Sequence, residues 1–121
     1  MKLLVVDDSN IIRMAITRYL SPLNLELIGT AANGVEALDL FREHSPDIVT
    51  MDITMPEMDG LECLTEMIRL KPDTKILMVT ALKDTHTGIK ALKLGAKGYL
   101  PKPFKSAQLI EEIEAILEEG E

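Results

Sequence analysis

Five side chains drawn from most of the chain could do chemistry together: Asp7, Asp8, Asp52, Thr80 and Lys102. Three carboxylates brought close cannot all stay ionised without help, so either some hold protons or a hard cation joins them. An oxygen-only ligand set with no His or Cys beside it favours Mg²⁺ over zinc. One lysine and one hydroxyl complete an inventory suited to a phosphoryl group: anionic metal ligands, a cation for the phosphoryl oxygens and a hydrogen-bond donor. Asp52 closes the apolar run Ile48-Val49-Thr50-Met51, which makes it the best-placed carboxylate to be a nucleophile that forms an aspartyl phosphate.

Each residue taken alone has a plainer reading. Asp7 or Asp8 could cap the helix that follows, Asp52 could cap a loop, and Thr80 could be a satisfied hydroxyl. Lys102 is one of 13 basic residues and alone would be solvated surface. What weighs against these readings is that all five follow strands.

The strands are short apolar runs. Leu3-Leu4-Val5-Val6, Ile48-Val49-Thr50-Met51 and Ile76-Leu77-Met78-Val79 have the pattern of strands buried on both faces. Residues 25–31 are more mixed, as an edge strand should be, and Gly98-Tyr99-Leu100 is a short fifth strand. Helices alternate with them. Ser9 is a candidate N-cap for a first helix with Ile12, Ile16, Tyr19 and Leu20 inward, ended by Ser21-Pro22. Gly34 opens a second, with Val35, Leu38 and Phe41 inward, stopped by Ser45-Pro46. Asp59-Gly60-Leu61-Glu62 has the form of a capping box, with Leu61, Leu64 and Ile68 on one face behind it. A weaker helix lies around Ile89, Ala91 and Leu92 and ends near Gly95, and the last carries Leu109, Ile113, Ile116 and Leu117 inward. Its outer face is acidic, with Glu111, Glu112, Glu114, Glu118 and Glu119. Strict alternation with short connections implies an α/β fold: a doubly wound parallel sheet of five strands with helices on both faces. In such a sheet all strands end at one rim, where ligands bind.

Composition narrows the function classes. A chain of 121 residues with 46% apolar and 27% charged side chains is expected to be one globular domain over residues 1–121. Its longest apolar runs are only a few residues, too short for a membrane span or a signal-peptide core. A net charge of −7 argues against direct contact with nucleic acid or an anionic membrane surface. The single Cys63 has no internal disulfide partner, which fits a reducing cytoplasm, and its helical setting marks it as core or half-buried filler. His44 and His86 read as surface helix residues.

Asp7-Asp8, Asp52 with Met55-Pro56 and Gly60 behind it, Thr80-Ala81 and Lys102-Pro103 together resemble the receiver domain of two-component response regulators, in order and spacing. The resemblance covers essentially the whole chain, and the Asp7-Asp8-Ser9…Arg13 opening is most similar to the stand-alone, CheY-like members. It implies the flavodoxin-like strand order 2-1-3-4-5. It also implies a phosphoacceptor switch rather than a conventional enzyme: Asp52 takes a phosphoryl group from a phosphohistidine on a sensor histidine kinase. Asp8, Asp52 and the Thr54 carbonyl ligate Mg²⁺, with Asp7 acting through a metal-bound water. Lys102, the Thr80 hydroxyl and the Ala81 amide bind the phosphoryl oxygens, and Tyr99 is the switch aromatic that turns inward as Thr80 moves. The Lys102-Pro103 bond is expected to be cis. The face of the fourth helix, fifth strand and fifth helix then meets a downstream target, of chemotaxis or motility type. Two positions that tune phosphate lifetime in the family are Thr54 and Leu82 here, neither acidic, which implies slow self-dephosphorylation.

Three other readings compete. A haloacid-dehalogenase-type aspartyl phosphatase needs D-x-D, whereas Asp52-Ile53-Thr54 lacks the second carboxylate. A flavin-binding module would want a hydroxyl- and glycine-rich loop where Asp7-Asp8 stands, and aromatics beyond Tyr19, Phe41, Tyr99 and Phe104. Within the receiver reading, the alternative is a receiver from a larger regulator with a DNA-binding or enzymatic output domain.

Overall fold

Strands covered on both faces need apolar side chains at every position, and the chain supplies them where expected. The computed structural model describes residues 1–81 and 85–119. Its strands are β1 (Lys2–Val6), β2 (Glu26–Ala31), β3 (Ile48–Asp52), β4 (Lys75–Ala81) and β5 (Gly98–Lys102). All pairings are parallel and the order is β2-β1-β3-β4-β5. Between them run α1 (Asn10–Leu20), α2 (Gly34–His44), α3 (Gly60–Leu70), α4 (Thr85–Lys93) and, last, α5 (Ser106–Glu119).

Side chains alternate across each strand, and the alternation sorts the core into two layers. Leu3, Val5, Leu77 and Val79 face one way and pack with Ile16 and Leu20 of α1 and Leu109, Ile113 and Ile116 of α5. Leu4, Val6, Val49 and Met51 face the other way, against Leu38 and Phe41 of α2, Leu64 and Met67 of α3 and Ala91 of α4. Truncating one of the large, fully buried members of either layer to Ala would cost about 2–5 kcal/mol.

Local signals set where the helices begin. Ser9 Oγ accepts the Ile12 amide at 3.3 Å, Asn33 Oδ1 accepts that of Glu36 at 2.9 Å, and Asp59 Oδ1 accepts that of Glu62 at 2.9 Å. A 3-10 turn at Ser21–Leu23 ends α1 at the expected proline, and Ser45 in the left-handed region (φ 47°) closes α2. Gly95, with φ 118°, stands just past α4.

One inward assignment needs correction, and the inward faces of two other helices can now be defined. Val35 is 45% exposed; the helical period turns Gly34, Ala37, Leu38 and Phe41 inward and leaves Val35 outside that arc. In α4 only Ala91 of the three apolar markers is buried, whereas Ile89 and Leu92 are exposed. The α3 stripe is wider than Leu61, Leu64 and Ile68, because Cys63 and Met67 are both fully buried. Cys63 is the expected core filler: its Sγ lies 3.7 Å from the Gly34 carbonyl, and burial first, then the charge of Asp59, pushes its thiol up to about 12. Among the described residues, no helix is long and apolar enough to cross a membrane.

Candidate functional site

The rim at the strand ends gathers the expected residues from opposite ends of the sequence. Asp7 and Asp8 follow β1, Asp52 is the last residue of β3, Thr80 and Ala81 end β4, and Lys102 ends β5. Register brings them level. Val6 pairs with Met51, Asp52 with Val79, and Ala81 with Lys102, so each strand stops within a residue or two of its neighbour.

Asp7, Asp8 and Asp52 each offer a carboxylate oxygen within 4.8 Å of the other two. Asp7 and Asp52 are buried, while Asp8 is exposed and opens the cluster to solvent. The Lys102 ammonium reaches into it, 2.8 Å from Asp7 Oδ2 and 3.5 Å from Asp52 Oδ1. Burial alone would lower the Lys102 pKa, but the two carboxylates outweigh it and hold the ammonium above its ordinary value. Asp52 moves the other way for a carboxylate. Burial first, then the Asp7 charge, raise it from 3.8 to about 6; Lys102 opposes the rise and Asp8 adds to it.

Asp7 is fixed by its surroundings. Its amide donates to the Ala31 carbonyl at 3.0 Å, and its Oδ1 accepts the Ser9 amide at 2.9 Å. Arg13 of α1 donates through Nη1 to the Asp7 carbonyl at 2.6 Å, a brace of the β1–α1 turn that its place in the sequence did not signal. The remaining oxygen, Oδ2, is buried and lacks an aligned hydrogen bond even though the Lys102 charge stands beside it. A buried, under-satisfied carboxylate oxygen within an oxygen-only cluster fits a hard divalent cation of the Mg²⁺ type.

The loop after Asp52 is held just as closely. The Gly60 amide donates to the Ile53 carbonyl at 2.7 Å, folding residues 53–60 back over the end of β3. A Cβ on Gly60 would lie 2.1 Å from the Asp52 carbonyl oxygen and 2.7 Å from the Ile53 Cα, so only glycine fits there. Thr54, whose carbonyl the resemblance names as a ligand, lies in this loop and is exposed. Thr80 is buried, Tyr99 on β5 is half-buried, and the Lys102-Pro103 peptide is cis as expected. Leu82, the other tuning position, lies outside the described residues.

Residues 3–114 match the family described as response regulator receiver domain. The chemotaxis protein CheY of Bacillus subtilis (strain 168) is 40% identical over 116 residues, which are 96% of this chain and 97% of that protein. CheY of Thermotoga maritima is 37% identical over 115 residues, 95% of this chain and 96% of that one. Among solved structures, the CheX–CheY–BeF3–Mg²⁺ complex from Borrelia burgdorferi superposes with a TM-score of 0.92 at 32% identity, covering 97% of this chain and 89% of that one.

Proposed function

The chain belongs to the response regulator receiver domain family, and from that premise we propose that residues 1–121 form one phosphoryl-accepting switch with Asp52 as the acceptor. The observation that carries the proposal is the rim cluster: a buried Asp52 with two further carboxylates within 4.8 Å and the Lys102 ammonium 3.5 Å away.

A carboxylate oxygen of Asp52 attacks the phosphorus of a phosphohistidine on a sensor histidine kinase; the P–N bond breaks and the imidazole nitrogen leaves with its electron pair. Asp8, Asp52 and the Thr54 carbonyl would hold Mg²⁺, with Asp7 contributing through a water. The ion supplies charge neutralisation on the phosphoryl oxygens. Lys102 is kept charged by its carboxylate neighbours and takes one phosphoryl oxygen, while the Thr80 hydroxyl and the Ala81 amide take others. The arriving group adds charge and acceptor oxygens that draw Thr80 towards the phosphoryl group, and Tyr99 follows on the same face of the sheet. The surface of α4, β5 and α5 then changes for a downstream target. The CheY relatives support an output of chemotaxis type. The net charge of −7 and the lack of a membrane-length helix among the described residues support a cytoplasmic switch that touches neither nucleic acid nor membrane directly.

Acetyl phosphate with Mg²⁺, read by intact mass on the wild type and Asp52→Ala, tests the reading. A gain of one phosphoryl group that the mutation and chelation both abolish is the expected result. No uptake, or uptake indifferent to Asp52, would mean a domain that signals by binding alone.

A further inference from the structure

Glycine is among the poorest helix formers, and Gly88 stands buried inside α4 with a backbone that any residue could adopt, since the positive-φ glycine among the described residues is Gly95. The reason for glycine at this position is therefore space. An ideal Cβ on Gly88 would fall 2.1 Å from Cε2, 2.4 Å from Cδ2 and 2.8 Å from Cζ of Tyr99. The Tyr99 ring lies directly on the bare helix backbone, in the volume a side chain would fill.

Strand register shows what this contact joins. Tyr99 pairs with Met78 and Pro101 with Thr80, so Tyr99, Met78 and Thr80 point to the same face of the sheet, the face that α4 covers. The ring therefore meets the helix on the same sheet face to which Thr80, the candidate phosphoryl-sensing hydroxyl, belongs. The contact is one-sided in what can yield. Two torsions move the ring, whereas the Gly88 backbone moves only with the whole helix. The α4 helix is also lightly anchored, with Ile89 and Leu92 exposed and Ala91 buried.

We propose that Gly88 is the seat of the Tyr99 switch: the missing side chain admits the ring against α4, so that ring position and helix position change together. This rests on the reading of Tyr99 as the switch aromatic, and it adds a positioning residue that sets which ring positions exist at all. A methyl group at position 88 closes the seat, displaces the ring and uncouples it from the phosphoryl site, while leaving the acceptor chemistry at Asp52 in place.

The chain has two tyrosines and no tryptophan, so 3-fluorotyrosine labelling gives two ¹⁹F resonances, which Tyr19→Phe assigns. In Gly88→Ala the Tyr99 resonance should move by more than its linewidth in the free protein. Its further change on adding acetyl phosphate and Mg²⁺ should fall by half or more, with phosphoryl uptake within twofold of wild type by intact mass. A Tyr99 resonance that coincides with wild type in both states overturns the proposal. If the wild type takes up no phosphoryl group, the receiver mechanism fails, and the free-state shift still decides whether the seat exists. A thermal comparison covers poor folding of the variant. Gly88→Ala should lower the unfolding midpoint when Tyr99 is present and raise it in a Tyr99→Ala background, where the helix gains a better residue and loses the clash. An equal loss in both backgrounds places the clash elsewhere and overturns the assignment.

Discussion

The Lys102 ammonium lies nearer to Asp7, at 2.8 Å, than to the candidate acceptor Asp52, at 3.5 Å. Without a metal ion, the lysine is the one cation recorded within ion-pair distance of this cluster among the described residues, and it leans towards the fully buried carboxylate. Lys102→Met should therefore destabilise the metal-free chain by about 2 kcal/mol, because it strands buried negative charge. Millimolar Mg²⁺ should recover part of that loss. Urea unfolding in chelator and in Mg²⁺ measures both, and an identical deficit in the two conditions would sink the idea that metal and lysine share the work of neutralisation.

Asp52 gives a pH dependence with a definite sign. Its folded pKa is raised from 3.8 to about 6, so the folded chain holds a proton there that the unfolded chain has already lost. Stability from this group is present below about pH 4 and is lost as pH rises through about 6. Metal-free Asp52→Asn should be the more stable protein at pH 7.5, by up to roughly 3 kcal/mol, and should lose that advantage near pH 4. Parallel stability profiles over this window check it. A constant difference would mean that Asp52 does not titrate as its burial demands.

Gly60→Ala should damage the acceptor without touching any charged group. The added carbon meets backbone atoms of Asp52 and Ile53, which cannot swing aside as a side chain would. The expected result is a loss of about 1–3 kcal/mol of stability and at least a tenfold drop in the initial rate of phosphoryl uptake from acetyl phosphate. Wild-type uptake in a folded variant would show that the loop can relax.

The opposite end of the sheet offers a control. Lys71 Nζ donates to the carbonyls of Ser45 and Pro46 at 2.9 and 3.1 Å and to Asp47 Oδ1 at 3.4 Å, tying the left-handed end of α2 to the start of β3. The Lys2 amide, then Lys71, hold the Asp47 carboxyl below its ordinary range despite partial burial. That support is present above the ordinary carboxylate pKa and is lost as pH falls through the lowered value. Lys71→Met should cost about 1 kcal/mol and leave phosphoryl uptake unchanged. A change in uptake rate would mean that the two ends of the sheet are coupled.

Leu82 enters by sequence alone. Neither it nor Thr54 carries an acidic group that could position an attacking water. Leu82→Glu should speed the loss of phosphate from the phosphorylated chain, followed as ³²P release or by mass. An unchanged or slower decay would count against a role for this position in excluding water.

The candidate site was legible because parallel topology leaves little freedom: once three apolar runs each end in a polar residue, Asp7, Asp52 and Thr80 must share a rim. The strand order was not readable from the runs themselves and came with the family resemblance. Hydropathy failed where small residues do the packing. The inward arc of α2 begins with Gly34 and Ala37, so an apolar count placed Val35 inside. Met67 was missed in α3 because Leu61, Leu64 and Ile68 already formed a plausible stripe, whereas Cys63 was read as filler of the core or its edge. The Arg13 brace and the close contacts at Gly60 and Gly88 join residues that only the turns between elements bring together, and no hydrophobic period encodes them.

Cys63 also has a practical consequence. Its thiol is sealed between α2 and α3 and stays protonated at neutral pH, so it offers almost no thiolate to an alkylating reagent. A cysteine introduced at Lys90 of α4 or Glu114 of α5, both exposed, would be the sole reactive sulfur in an otherwise native chain. A pair of such cysteines could carry spin or fluorescent labels across the proposed output surface, turning the approach or separation of the two helices into a distance measured directly in solution.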